Sequence, residues 1–242
     1  MRFSIDPGVL ERFPGLSIGV VLATGVDNSR GREQASEVLR GQAERVRSAW
    51  SYERLDSDPR IAAWREAYRV FGAKPKKHWC SVENAIRMIL SGPGIRSINP
   101  VVDLYNAISL KHVIPVGGDD LDQVAGDIQL TIATGDERFV PLNGTDAVSP
   151  KPGEVIYRDD EDVLCRRWNW RECDKSKLIE ATTNVCLVVE GLTPFSADDV
   201  LRISDKLAEL IETHCGGRTV LRVLDCQTPS IEMGDSGAID RS

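Results

Sequence analysis

Glu190 is a carboxylate placed where the most apolar stretch of the chain ends, directly after Val185-Cys186-Leu187-Val188-Val189 and before Gly191. A short apolar run bounded by glycine is typical of a buried strand. At the end of such a strand, the side chain can lie on the surface or it can line a pocket. In a pocket, it would hold a ligand ammonium group or orient a water molecule.

A second candidate for chemistry is the run Arg166-Arg167-Trp168-Asn169-Trp170-Arg171-Glu172, in which two tryptophans flank an amide among basic residues. Alternation along a strand would place both indole rings on one face, opposite Arg167, Asn169 and Arg171. One interpretation is structural, with the indoles in the core and the guanidinium groups at the surface. The other is an aromatic wall beside guanidinium groups, which suits a phosphate, a carboxylate or a stacked ring.

The stretch that begins at Pro100 contains further polar candidates. Proline is suited to the first turn of a helix, which would place Asp103 and Asn106 on one face, three residues apart. Gly117 and Gly118 follow, and two consecutive glycines would let the backbone approach a ligand closely.

The balance of charge limits the classes of partner. The 242-residue chain has a formal net charge of −7, whereas a protein that grips a long nucleic-acid duplex normally has a basic excess. Local recognition of a nucleic-acid end or of a small ligand stays compatible with this charge. The concentrated basic segment Lys74-Pro75-Lys76-Lys77-His78 is either a solvated loop or a phosphate contact.

Several common active sites are missing from the sequence. The three histidines lie in unrelated contexts, and no GxSxG, Walker A or GxGxxG motif occurs. The six cysteines contain no CxxC pair, which predicts reduced, mostly buried thiols, no metal site and no cofactor. Because no apolar run approaches about eighteen residues and none follows Met1, the sequence predicts a cytoplasmic protein with no membrane partner.

The hydrophobic periodicity predicts an α+β fold, with helical patterns in the first half of the chain and strand patterns in the second. We expect one domain over 1–228 and a mobile tail over 229–242. Helices are predicted over 30–50, 59–71, 81–90, 100–110 and 196–214, and strands over 17–23, 127–133, 138–142, 154–158, 162–166, 185–189 and 219–224.

Several of these separated motifs resemble a known family. They are Ile98-Asn99-Pro100-Val101-Val102-Asp103-Leu104-Tyr105-Asn106, Pro115, Asp120, Gly126-Asp127-Ile128, Gly135-Asp136-Glu137, Leu142-Asn143-Gly144, and Glu180-Ala181-Thr182-Thr183-Asn184-Val185 through to Glu190. In this order, over about residues 70–195, they resemble the editing domain of the bacterial phenylalanyl-tRNA synthetase β subunit, called B3/B4. The chain is similar to freestanding proteins built from that one domain.

The resemblance implies a fold and a reaction. The fold is a mixed α/β domain with a central sheet flanked by helices, and the reaction is metal-independent hydrolysis of an amino acid wrongly attached to tRNA. Asn106 matches the amide residue of the family pocket, and Glu190 matches the carboxylate that reads the bound amino acid. The family's pocket histidine falls on Gly117, which removes a donor or base and predicts a larger pocket.

The leading hypothesis is therefore trans-acting removal of a wrong amino acid from tRNA. Glu190 would bind the substrate ammonium or the water, and Asn106 a carbonyl or hydroxyl group. Arg167 or Arg171 would bind the terminal phosphate. The other candidate substrate-binding residues are Gly117, Gly118, Trp168, Asn169, Trp170, Glu180 and Thr182.

The expected partners are the tRNA acceptor end and, as a second partner, an aminoacyl-tRNA synthetase. Two alternatives stay open. One is a non-catalytic module that binds an amino acid or a small aromatic metabolite. The other is a structural partner protein that has lost the site.

Overall fold

The computed structural model describes residues 1–92 and 94–233. The helices within them are α1 (Pro7–Arg12), α2 (Arg32–Ala49), α3 (Tyr52–Ser57), α4 (Pro59–Val70), α5 (Ser81–Leu90), α6 (Pro100–His112) and α7 (Ala197–Cys215). The strands are β1 (Arg2–Ile5), β2 (Ser17–Thr24), β3 (Val116–Asp120), β4 (Ile128–Ile132), β5 (Val155–Arg158), β6 (Val163–Arg166), β7 (Arg171–Glu172), β8 (Asn184–Gly191), β9 (Arg218–Leu224) and β10 (Ser230–Glu232). The α+β class is confirmed.

The strands form two sheets. One is antiparallel throughout, with strand order β3-β8-β2-β9. The other has the order β10-β1-β4-β5-β6-β7, and its β1–β4 pair is parallel. The four-stranded sheet is the middle layer, because one of its faces packs on α6 and α7 and the other on the six-stranded sheet.

Alternation along β8 decides where its side chains go. Val185, Leu187 and Val189 belong to the core shared with the helices, whereas Cys186 and Val188 belong to the core between the two sheets. Since side chains along a strand alternate with a period of two, Glu190 falls on the face of Cys186 and Val188. The carboxylate is thereby directed into the space between the sheets.

The helix boundaries follow the signals in the sequence. Asn99 caps α6 by accepting from the Val102 N–H at 3.0 Å, and Pro100 occupies the first turn as predicted. Asp58 caps α4, and Ser196 with Asp199 forms a capping box at the start of α7. The predicted helix over 81–90 is confirmed, and Cys80 occupies its N-cap position.

Some elements differ from the sequence prediction. The predicted return strand over 138–142 is wrong, since this segment pairs only through isolated bridges and β5 takes its place beside β4. Proline at 141 lacks the N–H that a ladder requires, which explains why the strand does not form. Four further elements, β1, β3, α1 and α3, were not predicted from the sequence. The region predicted as a tail contributes β10, which pairs with β1, and its residues 234–242 lie outside the described residues.

The cysteines are free thiols, and five of the six are buried. In the described ranges, no cluster of three or more His, Cys, Asp or Glu side chains is arranged to hold a metal ion. Over the same ranges, we find no helix whose length and apolar character suit it to crossing a membrane.

We expect Gly19→Ala to destabilise the protein, because α7 packs directly on β2 at this point. A Cβ atom at residue 19 would lie 1.9 Å from Ser204 Oγ and 2.9 Å from Ser204 Cβ. Such overpacking costs about 1–3 kcal/mol of the free energy of unfolding, measurable by urea denaturation. Gly41→Ala in α2 is the matched control, since a Cβ there meets nothing within 4 Å. It should stabilise by about 0.5–1 kcal/mol, and an equal loss in both variants would contradict this account of the packing.

Candidate functional site

A cavity of about 310 Å³ opens beside α6 and β3. Its apolar wall comes from Ile98, Val102, Tyr105, Leu142, Leu178 and Ile179, and its polar groups are Asp119, Asn143, Glu172, Ser176 and Lys177. An apolar concavity with a few polar groups on one side is typical of a small-molecule site. We call this space the outer cavity.

A second, much smaller space of about 20 Å³ lies between the two sheets. Its polar lining includes Ser81, Asn169, Tyr157 and Glu190. Because a water molecule needs roughly 10–15 Å³ measured in this way, the space holds about one water or one small polar group. We call it the inner chamber. It shares Gly118, Asp119 and Glu172 with the outer cavity, so these residues form the boundary between the two spaces.

Glu190 is fully buried and is held by groups from two other elements. The Tyr157 hydroxyl on β5 donates to Oε1 at 2.6 Å, and Asn169 Nδ2 donates to Oε2 at 2.8 Å. Tyr68 on α4 in turn donates to Asn169 Oδ1 at 3.0 Å. These bonds fix the carboxylate from the opposite sheet, from a turn and, through the amide, from a helix.

Three carboxyl groups around the inner chamber have raised pKa values. Burial raises the pKa of Glu190 to about 7, against the lowering effect of the hydrogen bonds from Tyr157 and Asn169. The pKa of Glu172 is raised well above its usual range by burial and by the charges of Asp119 and Glu190. Burial also raises the pKa of Asp119, although a hydrogen bond from Ser176 opposes this shift. Burial is thus the main cause of all three raised pKa values, and the inner chamber holds three acidic groups that retain protons more readily than exposed carboxyl groups do.

Gly117 and Gly118 lie in β3, paired with β8, and not in a loop. A Cβ on Gly118 would lie 2.4 Å from Leu187 Cδ2 and 2.8 Å from the Cys186 carbonyl oxygen, so glycine permits this strand packing. A Cβ on Gly117 would lie 3.0 Å from Glu172 Oε1. Glu172 therefore occupies part of the space that a side chain at residue 117 would enter.

The alternation predicted for residues 167–170 is wrong, because they form a turn between β6 and β7. Arg167 has φ 49° and Trp168 has φ 66°, which reverses the chain direction. Trp168 is fully buried against Phe13 and Trp64, whereas Trp170 on the other side of the turn is half-buried. The two indoles thus face different surroundings, one in the core and one at the surface.

Arg167 is nearly buried, and its guanidinium contacts Glu154 at 3.2 Å and lies 4.4 Å from the Trp170 ring centroid. Arg171, by contrast, is exposed. The indole N–H of Trp168 lies close enough to lower the Glu190 pKa, but it makes no hydrogen bond of acceptable geometry. Among the described residues, this buried N–H has no hydrogen-bond partner, and it lies beside the inner chamber.

The remaining predicted site residues lie away from the two spaces. Asn106 is half-buried on α6, one helical turn after Val102 of the outer cavity, but it lines neither space. Glu180 is exposed and pairs with Arg32. Thr182 is buried and donates to Asp120 Oδ2 at 2.6 Å. The structure thus brings Glu190, Gly117, Gly118, Trp168 and Asn169 together at the inner chamber.

Sequence reasoning missed Asp119, Glu172 and Tyr157 as members of this site. Asp119 directly follows the two glycines, and Glu172 ends the aromatic run, so both lie beside segments that the sequence marks as candidates. Tyr157 gave no signal, because a tyrosine within an apolar strand is an ordinary core residue. Asp103, which shares the predicted α6 face with Asn106, accepts from the Ile98 N–H at 2.9 Å and so stabilises the preceding loop.

Part of this chain is similar in sequence to known proteins. A family model described as the B3/4 domain matches residues 63–216. A phenylalanine–tRNA ligase β subunit from Shewanella oneidensis is 36% identical over 66 residues, which is 27% of this chain and 8% of that subunit. The corresponding subunit from Fusobacterium nucleatum is 34% identical over 71 residues, covering 29% of this chain and 9% of that subunit. This chain therefore matches only a small part of these relatives.

Among solved structures, an N-terminal fragment of the phenylalanyl-tRNA synthetase β subunit from Pyrococcus horikoshii is similar. The similarity covers 90% of this chain and 49% of that one, with 12% identity and a TM-score of 0.45.

The raised pKa of Glu190 predicts a specific pH dependence of stability. Below pH 4.5, the Glu190 side chain is protonated in both the folded and the unfolded state. Between pH 4.5 and about 7, the unfolded chain releases this proton and the folded protein retains it. The free energy of unfolding should therefore fall as pH rises from 4.5 to about 7, by about 3 kcal/mol relative to Glu190→Gln. Urea denaturation at several pH values measures this difference. Glu209→Gln, at an exposed position on α7, should show the wild-type dependence, and a parallel profile for Glu190→Gln would refute the assignment.

Proposed function

Because the chain belongs to the B3/4 domain family, we propose that it hydrolyses the ester bond of an aminoacyl-tRNA and so removes a wrongly attached amino acid. The names of the matched relatives, phenylalanine–tRNA ligase β subunits, support aminoacyl-tRNA as the class of substrate. Action in trans on the tRNA acceptor end, association with a synthetase and a cytoplasmic location are parts of the same proposal.

The observation that carries the proposal is the acidic inner chamber at the end of an apolar cavity. The outer cavity, at about 310 Å³, has room for an amino-acid side chain against its apolar wall. The inner chamber, at about 20 Å³, has room for one small polar group beside Glu190 and Glu172. A substrate ammonium group fits that environment, because its charge would stabilise the ionised form of Glu190.

The hydrolysis step requires a positioned water and a donor for the developing oxyanion. In the proposal, Asp119 accepts a proton from the water as its oxygen bonds to the ester carbonyl carbon. Glu172 stays protonated and donates to the carbonyl oxygen. The bond to the ribose oxygen then breaks, that oxygen takes the proton, and the amino acid and the tRNA leave. Asn106 at the rim would hold a carbonyl or hydroxyl group of the substrate.

Non-catalytic binding of an amino acid is the second candidate function. The observation in its favour is that both oxygens of Glu190 already accept hydrogen bonds, from Tyr157 and Asn169. A carboxyl group held in this way is suited to binding a ligand ammonium group rather than to proton transfer. Under this alternative, a free amino acid would bind in the same two spaces without turnover.

A deacylation panel distinguishes the two functions. Transfer RNAs, each charged with one amino acid, are incubated with the wild-type protein, and release of the amino acid is measured. We expect release from a small subset of the panel, lowered about 100-fold or more in Asp119→Asn because the base that accepts the proton is lost. Glu190→Gln should weaken substrate binding, and Glu209→Gln on the far helix should match the wild type.

The pattern of failure is informative. No release from any charged tRNA would overturn hydrolysis, and calorimetric binding of a free amino acid would then support the binding module. Release that is unchanged in both Asp119→Asn and Glu190→Gln would place the chemistry outside the inner chamber.

A further inference from the structure

A basic and aromatic surface lies directly beside the inner chamber. The His78 ring contacts the Trp170 ring edge-on, with centroids 4.8 Å apart, and this contact joins two segments that are distant in the sequence. One is the basic loop with Lys74, Lys76 and Lys77, and the other is the turn that ends at Arg171. We call Lys74, Lys76, Lys77, Trp170 and Arg171 the basic–aromatic patch.

The cationic side chains of the patch are available for a ligand. All four are exposed, and none has an acidic partner within ion-pair distance among the described residues. Lys175 shows the contrast, since Asp159 and Glu161 hold its ammonium group at 2.8 Å and 3.1 Å. In a chain with a net charge of −7, this cluster of unpaired cations is a local exception that suits a polyanion.

Trp170 is held in place rather than loosely exposed. Arg167 lies over its ring, with Cζ 4.4 Å from the centroid, and Arg167 is itself fixed by Glu154. Exposed Arg171 lies farther from the ring, at 5.8 Å. The indole, contacted by Arg167 and His78, is half-buried and lies beside cations that have no acidic partner among the described residues. Proteins use this combination of an aromatic ring and cations to stack bases and contact the backbone of single-stranded nucleic acids.

The patch adjoins the proposed reaction site through the backbone itself. Asn169 and Glu172 line the inner chamber, and Trp170 and Arg171 are the two residues between them. Consecutive Cα atoms are about 3.8 Å apart, so a nucleotide stacked on Trp170 lies next to the chamber wall. Ser81, three residues after His78, also lines the chamber.

We propose that the basic–aromatic patch binds the single-stranded 3′ end of RNA, with a base stacked on Trp170 and phosphates on the lysines and Arg171. The inference rests on the proposed function, because it gives the surface that delivers the ester to the inner chamber. A patch that contacts only a short single-stranded end is compatible with the negative net charge of the chain, because tRNA binding then needs no extended contact with a duplex.

The test measures the affinity of the full chain for a fluorescently labelled, uncharged RNA oligonucleotide that ends in CCA. The triple variant Lys74→Glu, Lys76→Glu, Lys77→Glu should bind more weakly and show a smaller salt dependence. The slope of log K against log salt should decrease by about 2, at roughly 0.7 for each phosphate that a lysine no longer neutralises. Trp170→Ala should weaken binding by about 5- to 150-fold, as expected for the loss of one base–aromatic stack.

Matched controls separate local contacts from general effects. Lys111→Glu, Lys206→Glu, Arg218→Glu makes the same change in charge at three exposed positions outside the patch. Trp50→Ala removes another half-buried tryptophan that also carries a guanidinium, Arg54 at 4.7 Å. Both controls should retain wild-type affinity. Equal losses in patch and control variants, or no loss in either, would overturn the inference.

The outcome is independent of the deacylation panel. If the patch variants lose RNA affinity while no charged tRNA is hydrolysed, the patch stands and the proposed hydrolysis fails. If hydrolysis proceeds while the patch variants bind RNA as the wild type does, the patch is wrong and the proposed function stands.

Discussion

The burial of the Glu190 carboxylate is the constraint on which the rest of the site depends. A carboxyl group without exposure is costly unless its oxygens are hydrogen-bonded. Here, Tyr157 donates a hydrogen bond to one carboxylate oxygen and Asn169 donates one to the other. Tyr157 belongs to the opposite sheet, and Asn169 belongs to the turn after β6. The burial of Glu190 therefore depends both on the stacking of the two sheets and on the conformation of that turn. Tyr68 extends the network to α4.

This network also determines the chemistry available in the inner chamber. Glu190, Glu172 and Asp119 line the same small space, and burial raises the pKa of each of them, with the charges of Asp119 and Glu190 adding to the effect on Glu172. Such a group can offer a carboxylate and a protonated carboxyl side by side. In the proposed hydrolysis, Asp119 is the base and Glu172 is the donor, so the mechanism requires no histidine at the position of Gly117.

Three adjacent side chains of the turn at residues 167–170 lie in different surroundings. Trp168 packs in the core, Asn169 binds the buried carboxylate, and Trp170 faces the surface beside the basic loop. Positive φ angles at Arg167 and Trp168 make this distribution possible, because they break the regular alternation of a strand. A segment of four residues thus connects the core to the proposed site and to the proposed RNA surface.

Local signals in the sequence determined much of the secondary structure. Caps and prolines marked α4, α6 and α7, and alternation or apolar runs marked β2, β4 and β8, because these signals act within a few residues. They also identified Glu190 and Asn169 as polar residues in unusual surroundings. The same signals failed at 138–142, where the periodicity suited a strand but Pro141 could not complete the ladder.

Which polar groups come into contact depends on the tertiary structure. Tyr157 and Glu172 lie near Glu190 because the two sheets stack face to face, and Asp119 lies there because β3 pairs with β8. Both are long-range contacts that no local pattern encodes. The turn conformation that separates Trp168 from Trp170 likewise depends on what each indole packs against. Local patterns predict most of the elements and mark Glu190 as a candidate, whereas its burial, its hydrogen-bond partners and its raised pKa come from the packing of distant segments.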